Sequence, residues 1–190
     1  MNPITTTETA LIELIKSALG NKVKTVASLP GDWDANMLQR LIVIAPAVYV
    51  SFLGGPAISR DGDDAGLNSR WGIYAVTTDP SGHAARRLGS QIAIGAYEIL
   101  ATVIPAIHNQ TVPDIGTLQL SGQIDNLFTG SLAKKNLTIY EAQFSVPLYF
   151  DSALDLNSLD DFVTFDGKYD LNTADDKIDA EDNVTLEQGP

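Results

Sequence analysis

The chain has 190 residues, of which 44% are apolar, no cysteine, and a formal net charge of −12. That length accommodates one domain with a sizeable core plus an appendage, while the lack of cysteine excludes disulfides, a thiol nucleophile and zinc–thiolate sites and fits a reducing compartment. Residues 1–150 carry 12 acids and 10 bases, whereas residues 151–190 carry 12 acids against Lys168 and Lys177, so the excess charge belongs to the C-terminal segment. A nearly neutral core argues against a nucleic-acid reader, which gains affinity by releasing counterions from a basic surface.

Met1-Asn2-Pro3-Ile4 and the threonines that follow lack the basic-then-apolar layout of a signal peptide. Leu11, Leu14, Ile15, Ala18 and Leu19 recur at three and four, which predicts a first helix over Thr9 to Leu19, with Gly20 past its end. Asn21 to Leu29 predicts a short strand, closed by Pro30-Gly31-Asp32. Asp34 can cap a short helix carrying Met37, Leu38, Leu41 and Ile42. Ala47 to Leu53 then predicts a strand, with Val48, Val50 and Phe52 on one side and Tyr49 on the other.

Gly54 to Ser69 is rich in Gly and Asp and longer than the roughly 2–5 residues of a hairpin loop, so it is expected to be solvated and mobile until a partner orders it. Trp71, Ile73 and Ala75 alternate with Tyr74 and Val76, giving bulk on both faces, as a central strand requires. Asp79-Pro80-Ser81-Gly82 stops that strand. The period then becomes 3.6: Leu88, Ile92, Ala96, Ile99 and Val103 form one stripe, widened by Tyr97, Leu100 and Ile104, which predicts one long helix to Ile107. Gly89 and Gly95 inside it make sense only if something packs close there. Gln91, Glu98 and Pro105 interrupt this apolar window, so a buried helix explains it better than a membrane span.

Asn109 to Asp114 predicts a turn. Gly116 to Phe128 alternates Leu118, Leu120, Gly122, Ile124 and Asn126 against polar partners, predicting a strand with one buried face. After a turn at Ala133–Asn136, Tyr140, Ala142, Phe144, Val146, Leu148 and Phe150 give the clearest period-two signal. The sum is an α+β domain over residues 1–150: a mainly antiparallel sheet, one long helix packed across it, and shorter helices. Residues 151–190 form an acidic C-terminal extension in which single apolar anchors interrupt the acids, with Phe162, Phe165 and Tyr169 around an Asp166-Gly167 turn. Such an arm is expected to leave the core and dock on a neighbour.

No catalytic set emerges. His83 and His108 fall at opposite ends of the expected helix, about 37 Å apart at the helical rise, and cannot share a site. Ser69, Ser81, Ser90 and Ser131 lack a nucleophile-elbow context, and Gly54-Gly55-Pro56 leads into a loop instead of a phosphate-binding helix. The run Asp170 to Asp176 lacks the Gly and terminal Glu of an EF-hand loop. No metal and no cofactor are therefore expected. Arg86-Arg87 is the one concentrated basic spot of the core and is read either as paired with carboxylates or as two solvated side chains.

Several stretches together resemble the family named after the gene-37 product of bacteriophage Mu. They are Ala45-Pro46-Ala47-Val48-Tyr49-Val50, Trp71-Gly72-Ile73-Tyr74-Ala75-Val76, Ala85-Arg86-Arg87-Leu88-Gly89, Gly95-Ala96-Tyr97-Glu98-Ile99-Leu100, Asn126-Leu127-Phe128 and Tyr140-Glu141-Ala142. The resemblance covers about residues 8–150 and consists of packing and turn motifs, so it brings no active site; the acidic extension departs from the family's compact pattern. It implies a structural, non-enzymatic virion protein of contractile-tailed phages, a tail terminator or completion protein. As a homo-oligomeric ring, six subunits by analogy, it would cap the tail tube and join it to the neck. Its implied partners are tail tube, sheath and neck or connector proteins, with no membrane and no sequence-specific nucleic acid, the genome passing through the lumen. The implied location is the tail–neck junction of the virion, after synthesis in the host cytoplasm.

The candidate interface residues are Gly55, Arg60, Asp61, Arg86, Arg87, Phe162, Phe165 and Tyr169. Two other classes stay open: an acidic inhibitor or DNA mimic, suggested by the tail, and a small carboxylate-dependent enzyme using Asp32, Asp34 and Asp125.

Overall fold

The computed structural model describes residues 2–29, 43–59, 65–91, 93–127, 136–150, 164–169 and 180–185. The chain divides into two compact units, Met1–Asp151 and Ser152–Pro190.

The first unit opens with α1, Pro3–Leu19, which begins six residues before the expected Thr9. The Asn2 side chain accepts a hydrogen bond from the Ile4 amide at 3.0 Å, and Pro3 occupies the first turn, where its missing N–H costs nothing. Thr6 and Thr7 donate their hydroxyls to the carbonyls of Asn2 and Pro3, which lets these β-branched residues sit in a helix. A 3-10 turn at Gly20–Lys22 shortens the first strand to β1, Thr25–Ser28.

The main sheet runs β1–β2–β4–β8–β7, from β2 (Ala47–Phe52), β4 (Ala65–Thr78), β7 (Gln119–Asn126) and β8 (Leu137–Phe150), with β3 (Ala57–Ser59) also pairing with β4. Among the described residues of this sheet only β1 and β2 pair in parallel; every other junction is antiparallel. The α+β class with a mainly antiparallel sheet is therefore observed. The spine is β4 against β8, in register from Ala65 opposite Phe150 to Thr78 opposite Leu137. Trp71, Ile73 and Ala75 point to one face with Val48, Val50 and Phe144, under the helices. Tyr74 and Val76 point to the other, where they pack with Ala45, Tyr49, Leu137 and Ile139.

Several expectations are corrected, three of them in the helices and main sheet of the first unit. The single long helix is two: α2, His83–Leu88, and α3, Ala96–Ile107. Gly89 ends α2 at φ +88°, and a Cβ on Gly95 would lie 2.5 Å from the Arg87 carbonyl oxygen, so the two glycines let the chain fold tightly on itself between the helices. Leu88 is consequently 66% exposed while Ala96, Ile99 and Val103 are buried; Ile92 lies outside the described residues. Nor are the described residues of the Gly54–Ser69 stretch open loop, since β3 pairs antiparallel with the first residues of β4 there. Asn68 and Arg70 donate their amides to the carbonyls of Pro56 and Gly54, tying the segment into the sheet.

Third, β7 does not bury one face. Leu118, just before it, is fully buried, but Leu120 is 37% and Ile124 47% exposed. A bulge between Ser121 and Ile124, with Gly122 at φ +68°, interrupts its pairing with β8. The two-residue strand β5 (Thr111–Val112) stands in the stretch expected to be a turn and pairs with β6 (Gly116–Thr117), at the start of the stretch expected to be a strand.

The second unit contains β9, Thr164–Tyr169, paired antiparallel with β10, Ala180–Thr185. Asp166 and Gly167 lie inside β9, opposite Asn183 and Asp182, not at a turn. Lys168 and Glu181 form an exposed ion pair at 3.3 Å.

Candidate functional site

The turn after β4 fixes Arg86, one of the three arginines of the candidate interface. Asp79 accepts the Ser81 amide at 2.8 Å, an Asx-type turn that launches α2. Its carboxyl is held below the usual carboxylate range, chiefly by that amide, then by the hydroxyls of Ser81 and Ser90 and the charge of Arg86, against the opposing effect of burial. Arg86 is 5% exposed. Its Nη1 donates to the Asp79 carbonyl at 3.1 Å and to Asn136 Oδ1 at 3.5 Å, and its Nε donates to Thr138 Oγ1 at 3.2 Å. Arg86 thus joins the end of the β4–β8 ladder to α2 through neutral acceptors, and among the described residues it is neither solvated nor held by a direct ion pair. Buried inside the first unit, it is not available as a surface contact.

Arg87 points elsewhere. Its Nη1 donates to the Tyr97 hydroxyl at 3.2 Å and its guanidinium lies 5.8 Å from the ring centre, while its Nε has no acceptor among the described residues. Tyr97, 40% exposed, meets buried Tyr140 edge-on with ring centres 5.5 Å apart and hydroxyls at 3.3 Å. The Tyr140 bond and the Arg87 donor lower the Tyr97 pKa, whereas burial raises that of Tyr140. Tyr140 is opposite Asn126, and Ala142 is opposite Ile124, so this cluster borders the exposed aliphatics of β7. At the other end of α3, His108 Nδ1 accepts the Leu120 amide at 3.1 Å. The helix therefore runs beside β7 without covering it.

Of the other candidates, Gly55 sits against the Asn68 and Ser69 backbone in the tied segment. Phe165 and Tyr169 occupy β9 opposite Val184 and Ala180. Arg60, Asp61 and Phe162 lie outside the described residues, as do Asp32, Asp34 and the Asp170–Asp176 run. Asp125 lies in β7 opposite Glu141, which accepts from the Tyr74 hydroxyl at 3.3 Å and from Gln143 at 3.1 Å. Burial and the Glu141 charge push Tyr74 up to about 12. His83 opens α2 and His108 caps the end of α3, and no group of acids and histidines among the described residues is placed to hold a metal ion. Among the described residues no helix is long and apolar enough to cross a membrane.

What the geometry offers is a surface: a strand edge with two exposed aliphatics, flanked by an arginine and an exposed tyrosine. Sequence reading missed it, because alternation in β7 signals a buried face whether or not a helix reaches that far.

Comparison with known proteins finds phage and prophage relatives. The chain is 26% identical over 187 residues to the Mu-like prophage FluMu protein gp37 of Haemophilus influenzae, covering 98% of this chain and 91% of that one. It is 27% identical over 157 residues to a probable tail terminator protein of Escherichia phage Mu, covering 82% and 80%. A chain from the virion of a native gene transfer agent particle aligns with a TM-score of 0.44 at 15% identity, over 79% of this chain and 99% of that chain. The model of the family described as Bacteriophage Mu, Gp37 matches residues 3–149, and the chain belongs to that family.

Proposed function

We propose that this protein is a tail terminator: a structural virion subunit that forms a ring, six-membered by analogy, on the end of the tail tube, halts its growth and joins it to the neck. The observation that carries this reading is the family match over residues 3–149, with a phage Mu relative named as a probable tail terminator. The role is mechanical and takes no cofactor. It asks for a stiff subunit with adhesive margins, and the long β4–β8 ladder and the exposed β7 margin suit it.

In this reading the ring meets tube, sheath and neck proteins at the tail–neck junction of a contractile tail. Arg87 and Gly55 contribute from the core, Arg60 and Asp61 from the sequence between β3 and β4, and Phe162, Phe165 and Tyr169 from an acidic arm over 151–190. Light scattering on the full-length protein, alone and mixed with tube protein, tests it: the expected mass is a multiple of 20.3 kDa near six, alone or on the tube. A monomer under both conditions overturns the ring.

A further inference from the structure

The two margins of the main sheet are unlike, and each carries what the other lacks. At the β7 margin the helix layer stops short: α3 lies mainly over β4 and β8, leaving Leu120 and Ile124 exposed on the helix side. At the β1 margin a helix is present, because α1 packs over β1 and β2. Glu8 accepts the Ser28 hydroxyl at 2.7 Å, which places the row Ile4, Glu8 and Ile12, spaced by one helical turn, along β1. Ile4 and Ile12 are half-buried against the core.

Strand direction matches as well. With β1 parallel to β2 and each later junction antiparallel, β1 and β7 run in opposite senses across the sheet. A neighbour related by rotation about an axis along the strands therefore sets its β1 antiparallel to β7 of the first copy, the pairing that forms most readily. Lys24, just before β1, then arrives at the end of β7 that carries Asp125. The bulge leaves Ile124–Asn126 as a short regular stretch, a match for the four-residue β1. β7 carries no lysine or proline, and its bulge, itself a device that blunts an edge, ends before Ile124–Asn126.

We propose that copies of this chain join margin to margin, β7 of one against β1 of the next, with the Ile4–Glu8–Ile12 row of the second copy closing over Leu120 and Ile124 of the first. The contact is head-to-tail, which closes into a ring when the rotation allows it. It rests on the ring reading above and gives that ring its interface.

The cysteine-free chain permits a direct test. Lys24→Cys and Asn126→Cys, both at exposed positions, are prepared separately. Mixed under mild oxidation they are expected to give a disulfide-linked dimer, each alone should give none, and the double variant should give a ladder of covalent oligomers. Lys24→Glu and Asp125→Lys should each diminish the ring peak, and their combination should restore it, a recovery that misfolding does not produce. Efficient cross-linking of Asn126→Cys with itself overturns the proposal in favour of a two-fold β7–β7 contact. A ring that forms without any of these cross-links overturns this interface while leaving the ring intact, whereas a protein that stays monomeric with tube protein overturns both.

Discussion

At the scale of the residue, Asp79 is a buried carboxylate whose charge state bears on the fold. It holds the turn between β4 and α2 through the Ser81 amide, and the Asp79 carbonyl receives Arg86. Because the folded carboxyl is depressed, its stabilisation is present above the unfolded value near pH 4 and disappears as pH falls through the folded value. Asp79→Asn should therefore melt below the native protein at pH 7, and the two should converge in the acid range below about pH 4. Thermal melts from pH 7 to pH 2 check this; a constant gap across that range would mean the ionised form plays no part. The pairing of Arg86 was not legible in the sequence. Its acceptors include Asn136 and Thr138, about fifty positions away, and only the β4–β8 register brings them close.

At the scale of the element, the strands were legible and the helix break was not. β2, β4 and β8 declare themselves because alternation in each coincides with burial on the faces it specifies. Between Leu88 and Ala96 the apolar spacing continues across a place where the backbone does not. The glycines were the only signal, and their meaning depends on φ, which spacing does not report. The break makes an opposite-sign prediction. In a continuous helix Gly95→Ala would stabilise by about 1 kcal/mol. Here the added methyl meets the backbone of Arg87 and Leu88 and should destabilise by about 1–3 kcal/mol. A lower melting temperature supports the turn, and a higher one restores the long helix. The exposed margin of β7 was illegible for a related reason, since which strand ends a sheet is a property of long-range pairing.

At the scale of the molecule, charge and compactness divide the chain at nearly the same place. The acids concentrate beyond residue 150, and the compact units meet at Asp151–Ser152. Removal of residues 152–190 should leave the melting of the remaining core nearly unchanged and weaken incorporation into particles, measured by differential scanning calorimetry and by complementation. A truncated chain that fails to fold would place the C-terminal residues in the core, and one that assembles as well as the full chain would leave the arm without a role in assembly.

The β4–β8 ladder also sets how the subunit responds to force. Its hydrogen bonds lie across the strands, so a pull along the strand axis strains all fourteen residue pairs together, as a lap joint shares its load. A pull across the sheet opens the same ladder one pair at a time, like a zip. The subunit is thus a directional part, stiff along one axis and weak across another, whatever holds it at either end.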